Sequence, residues 1–342
     1  MTNNKGFQSA RKKKQHYVPQ CYLKSWAIDG THQIHVYDKV KKESRQNNIE
    51  DVASENYFYD IDFRKALSKK ELDLLPVREE NVDELSKQQV IENFFANHVE
   101  GELSRLLTEL IENTSNVMPK KLNKHFISRN KKRKISRHLS FQHIRTKAIR
   151  TSIDDVADCL QQMLEEMNAS ADTISNLNPT KDSTKLIHGQ IISNQQWIVE
   201  ATRRFNSFIW VLAINDTSKD FITSDNPISR RPHVSNPYMS MLGLMSDGVE
   251  VFYPVSPKIM LIMFERKYHK QKAKMDRHYF IIQDERDIDS YNTLTLLNST
   301  RCVFSSSGDF SIIDKILELE PNIFDKPKVS LSWNGKVFYP NA

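Results

Sequence analysis

Glycine and cysteine are scarce in this chain. Eight glycines in 342 residues provide no Gly-rich phosphate loop and exclude a Gly-rich barrel. The three cysteines, Cys21, Cys159 and Cys302, are scattered without a Cys-x-x-Cys pair. That rules out a Cys-built zinc ribbon, and the odd count fits a reducing compartment. The longest apolar run is the seven residues from Phe208 to Ile214, far short of the ~20 that a membrane span requires. No apolar core follows the basic N-terminus, so no secretory signal is expected. Gly-x-Ser-x-Gly and His-Glu-x-x-His are also missing, which sets aside hydrolase-fold esterase and zincin chemistry. The expectation is a cytoplasmic protein with no membrane partner.

Positive charge, by contrast, is concentrated. Residues 119–150 carry twelve Lys or Arg and no Asp or Glu, and residues 1–14 add five more cations without an acid. Since the whole chain is only +6, the remainder is net acidic. A single-sign segment makes a local field suited to a phosphate-bearing partner, DNA or RNA. Lys131, Lys132, Arg133, Lys134 and Arg137 are the candidate contacts. The competing account is neutralisation from within, because residues 50–113 hold sixteen acids against seven basic residues. Exposed ion pairs contribute only about 0–1 kcal/mol each, so docking of that kind would not by itself explain the cluster.

The spacing predicts an α+β fold: a helical central region packed on a largely antiparallel sheet formed mainly by the C-terminal third, with a small N-terminal extended subdomain. Residues 1–14 read as a flexible basic arm and 15–342 as one large domain, helix-rich over 80–206 and strand-rich over 207–342. Apolar residues recur at helical spacing from Ile91 to Leu110. A second helix is expected from about Ile135 to Ile149, with more helix to Met167, then a polar loop over 168–184 and helix again from about Gly189 to Phe205. Beyond it the period becomes two, and Asn334-Gly335 marks a type I′ hairpin.

Polar side chains stand where those helices should be apolar. On a helical projection Glu92 falls inside the Ile91–Leu110 stripe, with Glu100 at its edge. His138, Gln142 and Thr146 share the face of Ile135, Leu139 and Ile149, with Arg145 at its margin. Burying such groups costs several kcal/mol unless they are paired. They must therefore meet partners inside, such as a Glu92–Arg145 or Glu92–Gln142 contact, or line a cleft.

His16-Tyr17-Val18-Pro19-Gln20, running on to Tyr22-Leu23 and Trp26, resembles the N-terminal signature of the bacterial family of unknown function DUF4238. The similarity continues at Glu92 and Glu100, at Gln142 with Arg145-Thr146, at Thr223-Ser224-Asp225-Asn226-Pro227, and at Tyr253-Pro254 with Ser256-Pro257. It spans roughly residues 12 to 306. Cys21 departs from the aromatic or aliphatic residue usual there. The resemblance implies an address more than an activity, with a faint suggestion of bacterial defence against phage.

The residues it marks are those that periodicity finds misplaced. His16, Glu92, Gln142, Arg145 and Asp225 are the candidate catalytic set, with Tyr17, Gln20, Glu100, Thr146 and Asn226 as candidate ligand contacts. Glu92 and Asp225 could hold Mg²⁺ or Mn²⁺, with His16 as general acid or base and Arg145 clamping a scissile phosphate. Glu92 and Glu100 lie about 12 Å apart along a helix, too far to share one ion. That chemistry is a metal-dependent nuclease. The alternative is a non-catalytic nucleic-acid- or ligand-binding regulatory module whose buried polar cluster is structural. In that case Asp225-Asn226-Pro227 is a capped turn and His16 anchors the arm through a backbone carbonyl. Arg137 and His143 resemble the Arg–His element of helical ribonucleases of the higher-eukaryote-and-prokaryote nucleotide-binding class, although they project about 120° apart on a helix.

Overall fold

The computed structural model describes residues 11–115, 124–175, 180–234, 243–325 and 329–340. The fold is α+β, with a helical middle and antiparallel sheets. The strands are β1 (Lys14–His16), β2 (Gln33–Asp38), β3 (Glu43–Asn48), β4 (Ser54–Asn56), β5 (Ile209–Asn215), β6 (Thr223–Ser224), β7 (Ser229–Arg231), β8 (Glu250–Ser256), β9 (Ile259–Phe264), β10 (His278–Ile282), β11 (Cys302–Ser305), β12 (Leu331–Trp333) and β13 (Lys336–Phe338). The early helices are α1 (Gln20–Leu23), α2 (Phe63–Ala66), α3 (Lys69–Leu72), α4 (Val82–Lys87), α5 (Val90–Phe94) and α6 (Glu100–Ser115). They are followed by α7 (Arg129–Ile144), α8 (Lys147–Glu166), α9 (Ala171–Ser175), α10 (Lys181–Ser193), α11 (Gln195–Ser207), α12 (Glu285–Asn298) and α13 (Ser311–Leu319).

The five-stranded sheet runs β10-β5-β9-β8-β7, antiparallel except where β10 joins β5 in parallel. The interior strand β5, second in this order, carries most of the Phe208–Ile214 run and is nearly all buried, because elements pack on both faces of the sheet there. One face meets the helical middle: Trp210 Nε1 donates to the Phe205 carbonyl of α11, and Tyr253 stacks on Tyr22. The other meets α12 through Tyr291, which packs edge-on against Phe252 and Phe221. A four-stranded sheet, β3-β2-β11-β6, joins the N-terminal hairpin to strands from residues 223–224 and 302–305. The N-terminal extended region thus finds its partners at the far end of the chain. One apolar core runs from Tyr17 to Phe304, with a smaller cluster under α13.

The helices break more often than periodicity predicted. A π-helical turn, Phe95–Val99, separates α5 from α6. The expected Ile135–Met167 helix is two helices, interrupted at Arg145 and at Thr146, whose ψ of 158° is extended. Asn194 similarly divides α10 from α11 and caps the second through its side chain. The Asn334-Gly335 turn is as expected, with φ of 48° and 77°. Residues 1–10 of the arm lie outside the described part. Residues 11–14 do not behave as a free arm: Arg11 pairs with Asp60, Lys12 with Glu92 and Lys14 with Asp51.

Candidate functional site

Arg145 is the hub of the buried polar region. It is 1% exposed and lies 4.0 Å from the centre of the Phe95 ring. Its guanidinium donates to the His16 carbonyl at 2.6 Å, to Glu100 Oε1 at 3.0 Å and to the Tyr59 hydroxyl at 3.2 Å. The break after α7 makes this reach available, because Arg145 leaves the helical path just where β1 passes. The Gln20 amide nitrogen lies 3.5 Å from His16 Nε2, so the imidazole nitrogen accepts. Burial, then the charge of Lys12, push the His16 imidazole down to about 4, so it is neutral at pH 7.

His16, Gln20, Glu100 and Arg145 therefore do come together, while the other expected members do not join them. Glu92 is 4% exposed and its carboxylate is taken by Lys12 at 2.5 Å. The anticipated Glu92–Arg145 and Glu92–Gln142 contacts are absent, and Arg145 takes Glu100 instead. The π turn between Glu92 and Glu100 rotates less per residue than an α-helix, so a regular helical projection misplaces one relative to the other. Gln142 donates to the Tyr17 carbonyl at 3.2 Å. Its Oε1 and the Thr146 hydroxyl are buried without a protein partner.

Asp225 belongs to a different structure altogether. Its Oδ1 accepts from the Thr300 amide at 2.7 Å, and its Oδ2 from the amides of Arg301 at 2.7 Å and Cys302 at 3.0 Å. Asn226 donates to the Asn298 carbonyl. The turn thus clamps β6 to the segment leading into β11. Among the described residues no hydrogen bond or ion pair links Asp225 to His16, Glu92 or Arg145, and no group of three or more His, Cys, Asp or Glu could hold a metal ion. Four of the cavities in the described part have none of His16, Glu92, Gln142, Arg145 and Asp225 in their lining.

The basic window is largely consumed from within. Lys131 pairs with Glu109 and Lys134 with Glu102, both on the acidic helix α6. Lys132 is buried, donating to the Phe208 carbonyl at 2.7 Å and to Asp276 at 3.0 Å, so no phosphate can be its principal partner. Arg137 lies over the Phe141 ring. His143 instead meets Phe205, and burial pushes its imidazole down to about 3. Arg137 and His143 form no joint site. Of the expected nucleic-acid contacts, Arg133 alone is exposed without a carboxylate or ring partner among the described residues.

A different group of cations lines a cleft of about 350 Å³ at the start of α7: Arg129, Lys132, Arg266 and Arg277, with Asp276 the one acid. Asp276 serves both Lys132 and Arg266. Arg277 bonds the Ile127 carbonyl and His125 Nε2, which leaves its charge without a carboxylate. Arg129 has no carboxylate among the described residues and lies in a first helical turn that contains no acid. Arg266 and Arg277 follow β9 and precede β10, some 130 residues from the window, so no local pattern could have linked them to it.

The family model described as a protein of unknown function, DUF4238, matches residues 14–309 of the chain. No curated protein and no solved structure matches.

Proposed function

The chain belongs to the DUF4238 family, and within that family we propose that this protein is a nucleic-acid-binding module whose phosphate contacts lie in the Arg129–Arg266–Arg277 cleft. The observation that carries this reading is the charge of the cleft, four cations against the single carboxylate of Asp276. The helix supports it independently. Cations in the first turn of α7 oppose the helix macrodipole, and an anion seated beside Arg129 offsets both charges at once. Lys124 and Arg133, near Arg129 in the chain, are also exposed.

Metal-dependent phosphodiester cleavage, the other chemistry these residues suggest, draws less support. Asp225 would have to release three backbone amides, and Glu92 would have to release Lys12, before either could ligate Mg²⁺ or Mn²⁺. The binding reading is tested by fluorescence anisotropy with labelled single- and double-stranded DNA and RNA. Arg129→Ala and Arg277→Ala should each weaken binding several-fold for every sequence tried, as phosphate contacts do. Unchanged affinity in the double variant would refute the cleft. In the same samples, Mg²⁺ or Mn²⁺ should produce no cleavage. Cleavage that disappears in Glu92→Gln would restore the nuclease.

A further inference from the structure

On the α12 side of the five-stranded sheet, the helix covers the strands only in part. A cavity of about 290 Å³ is left between them. Its floor is apolar, made by Val211, Ile262 and Ile282 from three strands and by the rings of Phe264 and Phe280. Phe280 is 43% exposed, a large aromatic surface for a strand residue to leave in water. The polar wall is centred on Glu250 at the start of β8, which is 2% exposed. Tyr291 donates its hydroxyl to Glu250 Oε1 at 2.9 Å, and His233 Nε2 lies 2.7 Å from Oε2. Arg231 stands 3.8 Å from Oε2, beyond hydrogen-bond range. Among the described residues each carboxylate oxygen holds one hydrogen bond, and a carboxylate oxygen can accept two.

The lining also decides the charge of an occupant. Arg231 and Lys272 are balanced by Glu250 and Asp287, so neither a phosphate nor an ammonium is favoured. What fits is a neutral molecule with a flat apolar body, two adjacent N–H donors for Glu250, and an acceptor for Arg231 or Lys272. We propose that this cavity binds a neutral heteroaromatic ring of the nucleobase class, its two-donor edge on Glu250 and its face on Phe280. A free nucleoside and an unstacked base of a single strand present the same chemistry. The site does not depend on the basic cleft.

Calorimetric titration with guanosine, inosine and uridine tests the proposal. Guanosine carries the paired N–H donors and should bind, whereas inosine, lacking the 2-amino group, should bind about tenfold more weakly. Glu250→Gln should abolish guanosine binding. Phe280→Ala, at an exposed position that leaves folding intact by circular dichroism, should weaken it. Absence of guanosine binding at millimolar concentration, or an affinity indifferent to both substitutions, overturns the site. Competition identifies the source. If guanosine displaces a thymine oligonucleotide carrying one guanine, the natural occupant is a base in a strand; if guanosine binds and the oligonucleotide does not compete, it is a free nucleoside.

Discussion

Asp225 is buried, yet its carboxyl group is occupied: three backbone amides converge on its two oxygens. Removing one charged acceptor from such a set costs about 2–3 kcal/mol. Asp225→Asn should lower stability by that amount in urea denaturation while leaving nucleic-acid binding by the folded fraction unchanged. Selective loss of an activity at unchanged stability would return Asp225 to a catalytic role. The histidines give a second expectation. Burial pushes His16 down from 6.5 to about 4, and His188 to about 3, where Arg150 adds to the effect. Between these values and 6.5 the unfolded chain binds protons that the folded chain refuses, so stability rises with pH across that window. Going from pH 7 to pH 5 should cost on the order of 2 kcal/mol for each of these histidines, and His16→Gln should flatten the dependence. A stability profile flat from pH 5 to 7 would show the imidazole to be freely protonated. At this scale the sequence marked Glu92, His138, Gln142, Arg145 and Thr146 as polar groups on apolar helix faces, and all five are buried. It could not name the partners. Lys12, Tyr59 and the amides of residues 300–302 are distant in the chain, and periodicity carries no information about them.

At the level of elements, the strands and the closing hairpin were legible because alternation and Asn-Gly turn chemistry are local. The helix breaks were not. Neither Pro nor Gly marks Arg145–Thr146 or the Phe95–Val99 turn. The α7–α8 break accompanies a tertiary requirement, since Arg145 at the helix end reaches the His16 carbonyl and Glu100. Thr146 sits at the N-terminal cap of α8, yet its hydroxyl neither caps the helix nor meets any other protein partner. An unpaired buried hydroxyl costs about 1–3 kcal/mol. Thr146→Val should therefore raise the melting temperature by several degrees. A drop would mean that the hydroxyl has a partner in solution and that the α7–α8 junction binds something.

Across the whole molecule, the basic window divides into two populations. Cations facing α6 and β4 are spent on Glu102, Glu109 and Glu55, which the acid-rich composition of residues 50–113 foreshadowed. Those at the N-terminal end of α7 join Arg266 and Arg277 in a cleft that only the folded chain assembles. The central claim is that this second population, and not the buried His16–Arg145 network, meets nucleic acid. The salt dependence of DNA and RNA affinity tests it most directly. Plotted as the logarithm of affinity against the logarithm of salt, the wild type should fall steeply, and the Arg129→Ala/Arg277→Ala double variant should show a slope shallower by about 1.5–2. A wild-type slope near zero, or one the double variant leaves unchanged, would contradict the account.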